Sequence, residues 1–72
     1  MSRLANANVT ARVVRALMRA GFVLDQGGSH TILHHADGRY TVIPRHPRIK
    51  PFLLKKILKQ CGLTEQQFLD LY

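Results

Sequence analysis

The sequence is poor in acidic residues and cysteine and has no tryptophan. Four Asp and Glu stand against eleven Lys and Arg, which gives the 72 residues a formal net charge of +7. The single cysteine, Cys61, cannot form a disulfide within the chain, and no apolar run of about 18 residues or secretory signal is present. We therefore expect a cytoplasmic protein whose charge favours a polyanionic partner: nucleic acid, an acidic membrane surface or an acidic protein.

The length predicts one domain over residues 1–72, with residues 1–9 as a loosely ordered start. A hydrophobic fraction of 46% and a charged fraction of 21% exclude wholesale disorder. Because a chain of this size buries only about 60% of its unfolded surface, it leaves no room for a deep cofactor cleft between two domains. A simple site on a small scaffold, or a binding module, remains possible.

Hydrophobic periodicity predicts three helices. Thr10 is expected to cap a helix over residues 11–20, and its outer face is formed by Arg12, Arg15 and Arg19. Pro51 suits the first turn of a second helix, which Gly62 ends. A capping-box pattern that opens a short terminal helix is formed by Thr64 and Gln67.

Three short strands are expected between the first two helices, over residues 22–25, 29–35 and 40–43. Residues 26–28 form the first turn, and Asp37-Gly38 is a hairpin signal for the second. The expected fold is α+β, with an antiparallel meander that the helices cover on one face.

The basic residues cluster in the second half of the sequence. Between Gly38 and Thr64 there is no acidic residue, and the seven basic residues are Arg39, Arg45, Arg48, Lys50, Lys55, Lys56 and Lys59. A basic run is often only a solvated face. This one joins a loop to a helix N-terminus, whose N–H groups and dipole also attract anions, so we favour contacts with backbone phosphates. Apart from Tyr40 the run shows no platform on which bases would stack.

The histidines do not form a metal-binding pattern. His30 and His34 share a strand face but lie about 13 Å apart along it. Each ligand atom of a zinc ion must lie within about 2.3 Å of the ion, so these two histidines cannot bind the same ion from a regular strand. We expect no metal and no cofactor. His30 follows Gly27-Gly28-Ser29, and histidine is the natural proton-transfer group near neutral pH. From residue types alone, His30 is either an ordinary strand histidine or a group aimed at a bound phosphate.

Five motifs occur in order along the chain: Ala20-Gly21-Phe22, Gly28-Ser29-His30, His35-x-Asp37-Gly38-Arg39, Pro44-Arg45-His46-Pro47 and the run from Leu54 to Thr64. Together they resemble HicA-type toxins of HicA–HicB toxin–antitoxin pairs, over residues from about 10 to 72. The resemblance implies a fold like a double-stranded RNA-binding domain, metal-independent endoribonuclease activity on mRNA, and a HicB-like antitoxin as partner.

The resemblance also implies roles for individual residues. The family's catalytic histidine falls at His30, with Gly28 as the accompanying glycine; the second histidine that often follows is replaced here by Thr31. His30 would act on the ribose 2′-OH or on the leaving 5′-oxygen. The substrate-binding set would be Gly28, Ser29, Arg45, Lys50, Lys55 and Lys56. His46 is the most plausible second proton-transfer group, although we do not favour it.

Two other functions fit the same residues. The first is a non-catalytic module that binds double-stranded RNA through its shape and 2′-hydroxyl groups. The second is a protein-interaction or membrane-surface domain that uses the helix face formed by Lys55, Lys56 and Lys59. A toxin would cut RNA during incubation, whereas the non-catalytic module would bind it and leave it intact. Competition between RNA and anionic vesicles for the protein tests the interaction or membrane-surface domain.

Overall fold

The computed structural model describes residues 3–25 and 31–72, and within these ranges the chain is α+β. The helices are a 3-10 helix (Arg3–Asn6), α1 (Thr10–Arg19), α2 (Pro51–Cys61) and α3 (Glu65–Leu71); the strands are β1 (Val23–Asp25), β2 (Thr31–His34) and β3 (Tyr40–Ile43). The expected fold class is confirmed, and the order of elements is compatible with a resemblance to a double-stranded RNA-binding domain. The predicted turn over residues 26–28 lies outside the described residues.

The three strands form the antiparallel meander that the turn signals predict. β2 lies in the centre and pairs with both neighbours, so that Leu33 stands opposite Leu24 on one side and Thr41 on the other. Leu33 and Thr41 are buried beneath the helices, while their neighbours His34 and Tyr40 are exposed on the opposite face. Alternation along the strands therefore separates a core face from an open face.

Each of the three α-helices and the 3-10 helix contributes to one hydrophobic core. Fully buried members come from separate elements: Leu4, Leu17, Leu33, Leu54 and Phe68. Within residues 3–25 and 31–72, no helix combines the length and hydrophobicity that a membrane crossing requires.

The expectation of a loose start is wrong for residues 3–9. Leu4 and Ala7 are buried in the core. Asn8 then exchanges two hydrogen bonds with Ile49: the Ile49 amide donates to the Asn8 carbonyl at 2.9 Å, and the Asn8 side-chain amide donates to the Ile49 carbonyl at 2.9 Å. This segment is ordered because its apolar side chains complete the core and its polar groups pair with the loop before α2.

Thr10 does not cap α1 as expected. It is the first residue of the helix, Val9 is the cap residue, and no side chain caps the helix start. Instead, the Thr10 hydroxyl donates to the carbonyl oxygen of His46, and the Thr10 amide donates to that of Pro47 at 3.0 Å. The hydroxyl therefore bonds to a residue far along the chain. It ties the start of α1 to the loop after β3, residues 44–50, which we call the basic loop.

The predicted ends of the two later helices are confirmed. Pro51 begins α2, and Gly62 ends it with a left-handed backbone at φ 70°. In the capping box of α3, the Gln67 amide donates to the Thr64 hydroxyl at 3.0 Å and the Thr64 amide donates to the Gln67 side chain at 2.9 Å. These signals are local, so the sequence predicts them well.

The buried thiol of Cys61 leads to a first prediction. Burial raises the pKa of Cys61 to about 11, against an ordinary value of 9.0, and the Arg39 guanidinium opposes this only in part. Because the thiolate is the reactive form, the folded protein should not react with Ellman's reagent at mildly alkaline pH but should react fully in concentrated guanidinium chloride. The unfolded thiol ionises first, so the free energy of unfolding should fall as pH rises from 9 towards 11. Rapid labelling of the folded protein would contradict this.

Candidate nucleic-acid interface

A groove of about 670 Å³ lies between α1 and the loop that follows β3; we call it the α1 groove. One face of α1 lines it through Ala11, Val14, Arg15 and Met18, whose spacing of three or four residues places them on the same side of the helix. Leu24 of β1 and the paired residues Thr31 and Ile43 line it from the sheet. The groove thus has an apolar floor contributed by several elements.

Polar and basic side chains stand among these apolar ones: Thr10, Arg15, Thr31, Arg45 and His46. None of the groove's described lining residues is acidic. A second cleft of about 410 Å³ shares Pro44 and His46 with the groove and extends to Arg48 and Lys50. Basic residues therefore follow one path from α1 to the start of α2, as an extended polyanion would require.

The path ends at a helix N-terminus. Lys50 is the cap residue of α2, Pro51 is the first helical residue, and no side chain caps this end. The N–H groups of the first turn therefore keep their capacity to bind an anion, which agrees with the expectation from the basic run.

The predicted substrate-binding residues divide into three groups. Arg45 lines the α1 groove, and Lys50 lines the adjoining cleft. Lys55 and Lys56 are exposed on α2 and line neither of them, and the Lys56 ammonium lies 4.6 Å from the ring centre of Phe52. The third group, Gly28 and Ser29, lies outside the described residues, as does His30, the predicted catalytic residue.

Arg15 is a groove residue that our reading of the sequence missed. The three arginines of α1 share one face, as expected, and line a small cleft with Tyr72, where Arg12 and Arg19 donate to the backbone oxygens of Tyr72 and Leu71 at 2.9 and 2.6 Å. Within the described residues Arg15 makes no hydrogen bond or ion pair, and it faces the groove. Its spacing from Ala11 and Met18, four and three residues, was the available signal.

Arg39 also has a different place from the one its position in the basic run suggested. Its Nε donates to an Asp37 carboxylate oxygen at 2.8 Å, its Nη1 donates to the Cys61 carbonyl, and its guanidinium lies 5.3 Å from the Phe22 ring centre. The hydrogen bond from the Arg39 amide, and then the guanidinium, hold the pKa of Asp37 below its ordinary value. Arg39 therefore stabilises the turn and the end of α2.

The histidines in the described part of the chain occupy separate places. His34 lies on the open face of the sheet, the His35 ring packs 5.2 Å from that of Phe22, and His46 lines the α1 groove. Among residues 3–25 and 31–72, no group of three or more His, Cys, Asp or Glu side chains is arranged to hold a metal ion.

Fold and groove define a small, basic α+β protein with a surface that fits a polyanion. The family model described as HicA toxin of bacterial toxin–antitoxin systems matches residues 10–63. The chain therefore belongs to the HicA toxin family, which confirms the resemblance seen in its motifs. It is the toxin of a toxin–antitoxin pair, and membership implies an antitoxin partner. No curated protein matches the sequence.

Proposed function

We propose that this toxin is a metal-independent endoribonuclease that cleaves mRNA, with His30 as its catalytic residue. Family membership supports the proposal. The observation that carries it is the α1 groove, whose described lining includes Arg15, Arg45 and His46 and no acidic residue. Phosphodiester cleavage requires a surface that binds the phosphate, which such a groove offers, and a proton-transfer group, the role proposed for His30.

The chemistry uses the RNA's own nucleophile. A general base removes the proton from the ribose 2′-OH, the 2′-oxygen bonds to phosphorus, and the bond from phosphorus to the 5′-oxygen breaks. A general acid gives a proton to that oxygen, so the products are a 2′,3′-cyclic phosphate and a 5′-OH. His30 would serve in one of these two roles, each of which contributes about 10²- to 10⁴-fold to the rate.

Basic residues would bind the phosphate on which charge develops. Arg45 in the groove and Lys50 at the start of α2 are proposed to hold the scissile phosphate and its neighbour. A planar guanidinium donates to two phosphate oxygens at once, which gives orientation as well as charge. Lys55 and Lys56 are proposed to contact more distant phosphates, because they lie on α2 outside the groove.

The antitoxin partner is proposed to be an acidic, HicB-like protein that covers the α1 groove and the position of His30. A surface with a net charge of +7 attracts an acidic partner at long range. Covering the groove would exclude RNA from the same basic path, which explains neutralisation without any change in the toxin's fold.

The products of cleavage test this proposal. We expect the purified chain to cut RNA in the presence of a metal chelator and to leave 2′,3′-cyclic phosphate ends, measured by mass spectrometry. A DNA oligonucleotide of the same sequence is the matched control and should stay intact, because it lacks the 2′-OH. Loss of cutting in chelator, or cutting of the DNA, would contradict the mechanism. Binding of duplex RNA without cutting would support the non-catalytic module.

A further inference from the structure

We propose that the α1 groove binds one unpaired nucleobase of the RNA, so that the enzyme requires an unstacked nucleotide beside the bond it cuts. The inference rests on the proposed function and adds to it the class of RNA that is cleaved.

Size and lining fit a base. At about 670 Å³ the groove lies within the range of small-ligand sites, and Val14, Met18, Leu24 and Ile43 contribute apolar surface to it. Met18 is 45% exposed although it faces this groove, so an apolar surface is left open. A nucleobase has apolar faces and a polar edge, whereas a base within a duplex has both faces stacked and cannot enter.

The charge of the groove selects a nucleotide rather than an apolar side chain alone. Arg15 from α1 and Arg45 from the loop after β3 both line the groove, with no acidic residue among its described lining. A base held between these walls would have its own phosphates within reach of two guanidinium groups. Arg12 and Arg19 are engaged at the end of α3, which leaves Arg15 as the arginine that α1 presents here.

The two walls are fastened to each other before any ligand binds. The Thr10 hydroxyl and amide donate to His46 and Pro47, and Val9 forms a β-bridge with Arg48. The start of α1 and the basic loop therefore act as one unit. A site whose walls are held in place loses less entropy when it orders a flexible RNA strand.

An abasic substitution in the RNA tests for the base. The protein is the His30→Ala variant, which prevents cleavage, and the probes are a short fluorescent unpaired RNA and copies with one abasic ribose at each position in turn. We expect one position at which losing the base weakens binding about tenfold, as the burial of roughly 60 Å² of apolar surface would give. We also expect the same RNA to bind more weakly as a perfect duplex, measured by fluorescence anisotropy at one salt concentration.

A groove-filling variant locates the effect. Ala11 is exposed and lines the groove, so Ala11→Phe should occupy it, and the sensitive abasic substitution should then cost little further affinity. The matched control is Ala5→Phe on the 3-10 helix, which is exposed and lies outside the groove; it should keep the tenfold difference. Circular dichroism checks that each variant is folded. If Ala11→Phe does not fold, the abasic series still tests the inference, because it uses a protein whose groove is unchanged.

Four results would overturn the inference. If the RNA binds tightly and is cut by the wild-type chain but no abasic position matters, the groove holds no base, while the proposed function stands. The same follows if the abasic loss persists in Ala11→Phe. If Ala11→Phe blocks only the antitoxin, the groove is a protein-binding site. If the wild-type chain neither binds nor cuts RNA, the proposed function fails as well.

Discussion

Replacing His30 with alanine is expected to lower RNA cleavage by about 10²- to 10⁴-fold, the contribution of one positioned proton-transfer group. The rate of cutting of an end-labelled RNA by purified wild-type and variant chains measures this. RNA binding should be almost unchanged, because the basic residues of the α1 groove and of the cleft beside it remain. In cells, the wild-type chain should arrest growth, His30→Ala should not, and co-expression of the antitoxin should restore growth to cells with the wild type.

Two further histidine variants make the experiment specific. His34→Ala is the matched control, since His34 is exposed on the open face of the sheet and lines neither the α1 groove nor the cleft beside it. It should cleave at the wild-type rate. His46→Ala asks whether the groove histidine supplies the second proton transfer, in which case one limb of the bell-shaped pH–rate profile should disappear. Full activity in His30→Ala would overturn the assignment of the catalytic residue.

The features that the sequence predicts well depend on neighbouring residues. Pro51 and Gly62 mark the ends of α2, and Thr64 with Gln67 marks the start of α3, because a cap or a left-handed residue acts within one turn of its helix. The observed strands agree closely with the predicted ones for a similar reason. Alternation and the Asp37-Gly38 turn fix the hairpin between β2 and β3.

The features that the sequence does not predict depend on partners far along the chain. Thr10 could cap its own helix or donate to a distant carbonyl, and only the position of the loop after β3 decides between these. Leu4 is buried because α2 packs on the 3-10 helix, about fifty residues later in the sequence. Arg15 lines both the α1 groove and the cleft beside Tyr72, which only the packing of α1 against the rest of the fold reveals.

The candidate site shows the same division. The residues of the basic loop could be predicted from charge and spacing, and Arg45 does line the groove. The groove itself could not, because it is formed by α1, β1, β2 and the loop after β3 together. The role of His30 came from the family resemblance and stays a prediction.

Replacing Phe68 with alanine is expected to lower the free energy of unfolding by about 3–5 kcal/mol, the usual cost of removing a buried phenylalanine ring. Phe68 is fully buried, and its ring lies 5.5 Å from that of Tyr72. A chain of this size has a total stability of roughly 4–11 kcal/mol, at about 0.05–0.15 kcal/mol per residue. One substitution would therefore remove a large share of it, although α3 lies beyond the residues that match the family.

Urea unfolding followed by circular dichroism measures this loss, and Phe52→Ala is the matched control. Phe52 is 68% exposed and its ring meets only the Lys56 ammonium among the described ring and cation contacts, so its removal should cost no more than about 1 kcal/mol. Equal unfolding midpoints for the two variants would show that α3 is not part of the core.

The loss of Phe68 should also reach the α1 groove. Arg12 and Arg19 of α1 hold α3 in place by donating to the backbone oxygens at its C-terminal end. The Tyr72 hydroxyl also accepts a hydrogen bond from the Val9 amide at 3.1 Å. Val9 lines the groove and pairs with the basic loop at Arg48. If α3 detaches, Arg12 and Arg19 lose their partners and the start of α1 loses one of its supports. Phe68→Ala should therefore weaken RNA binding under conditions where Phe52→Ala does not, and this links a residue outside the family match to the site.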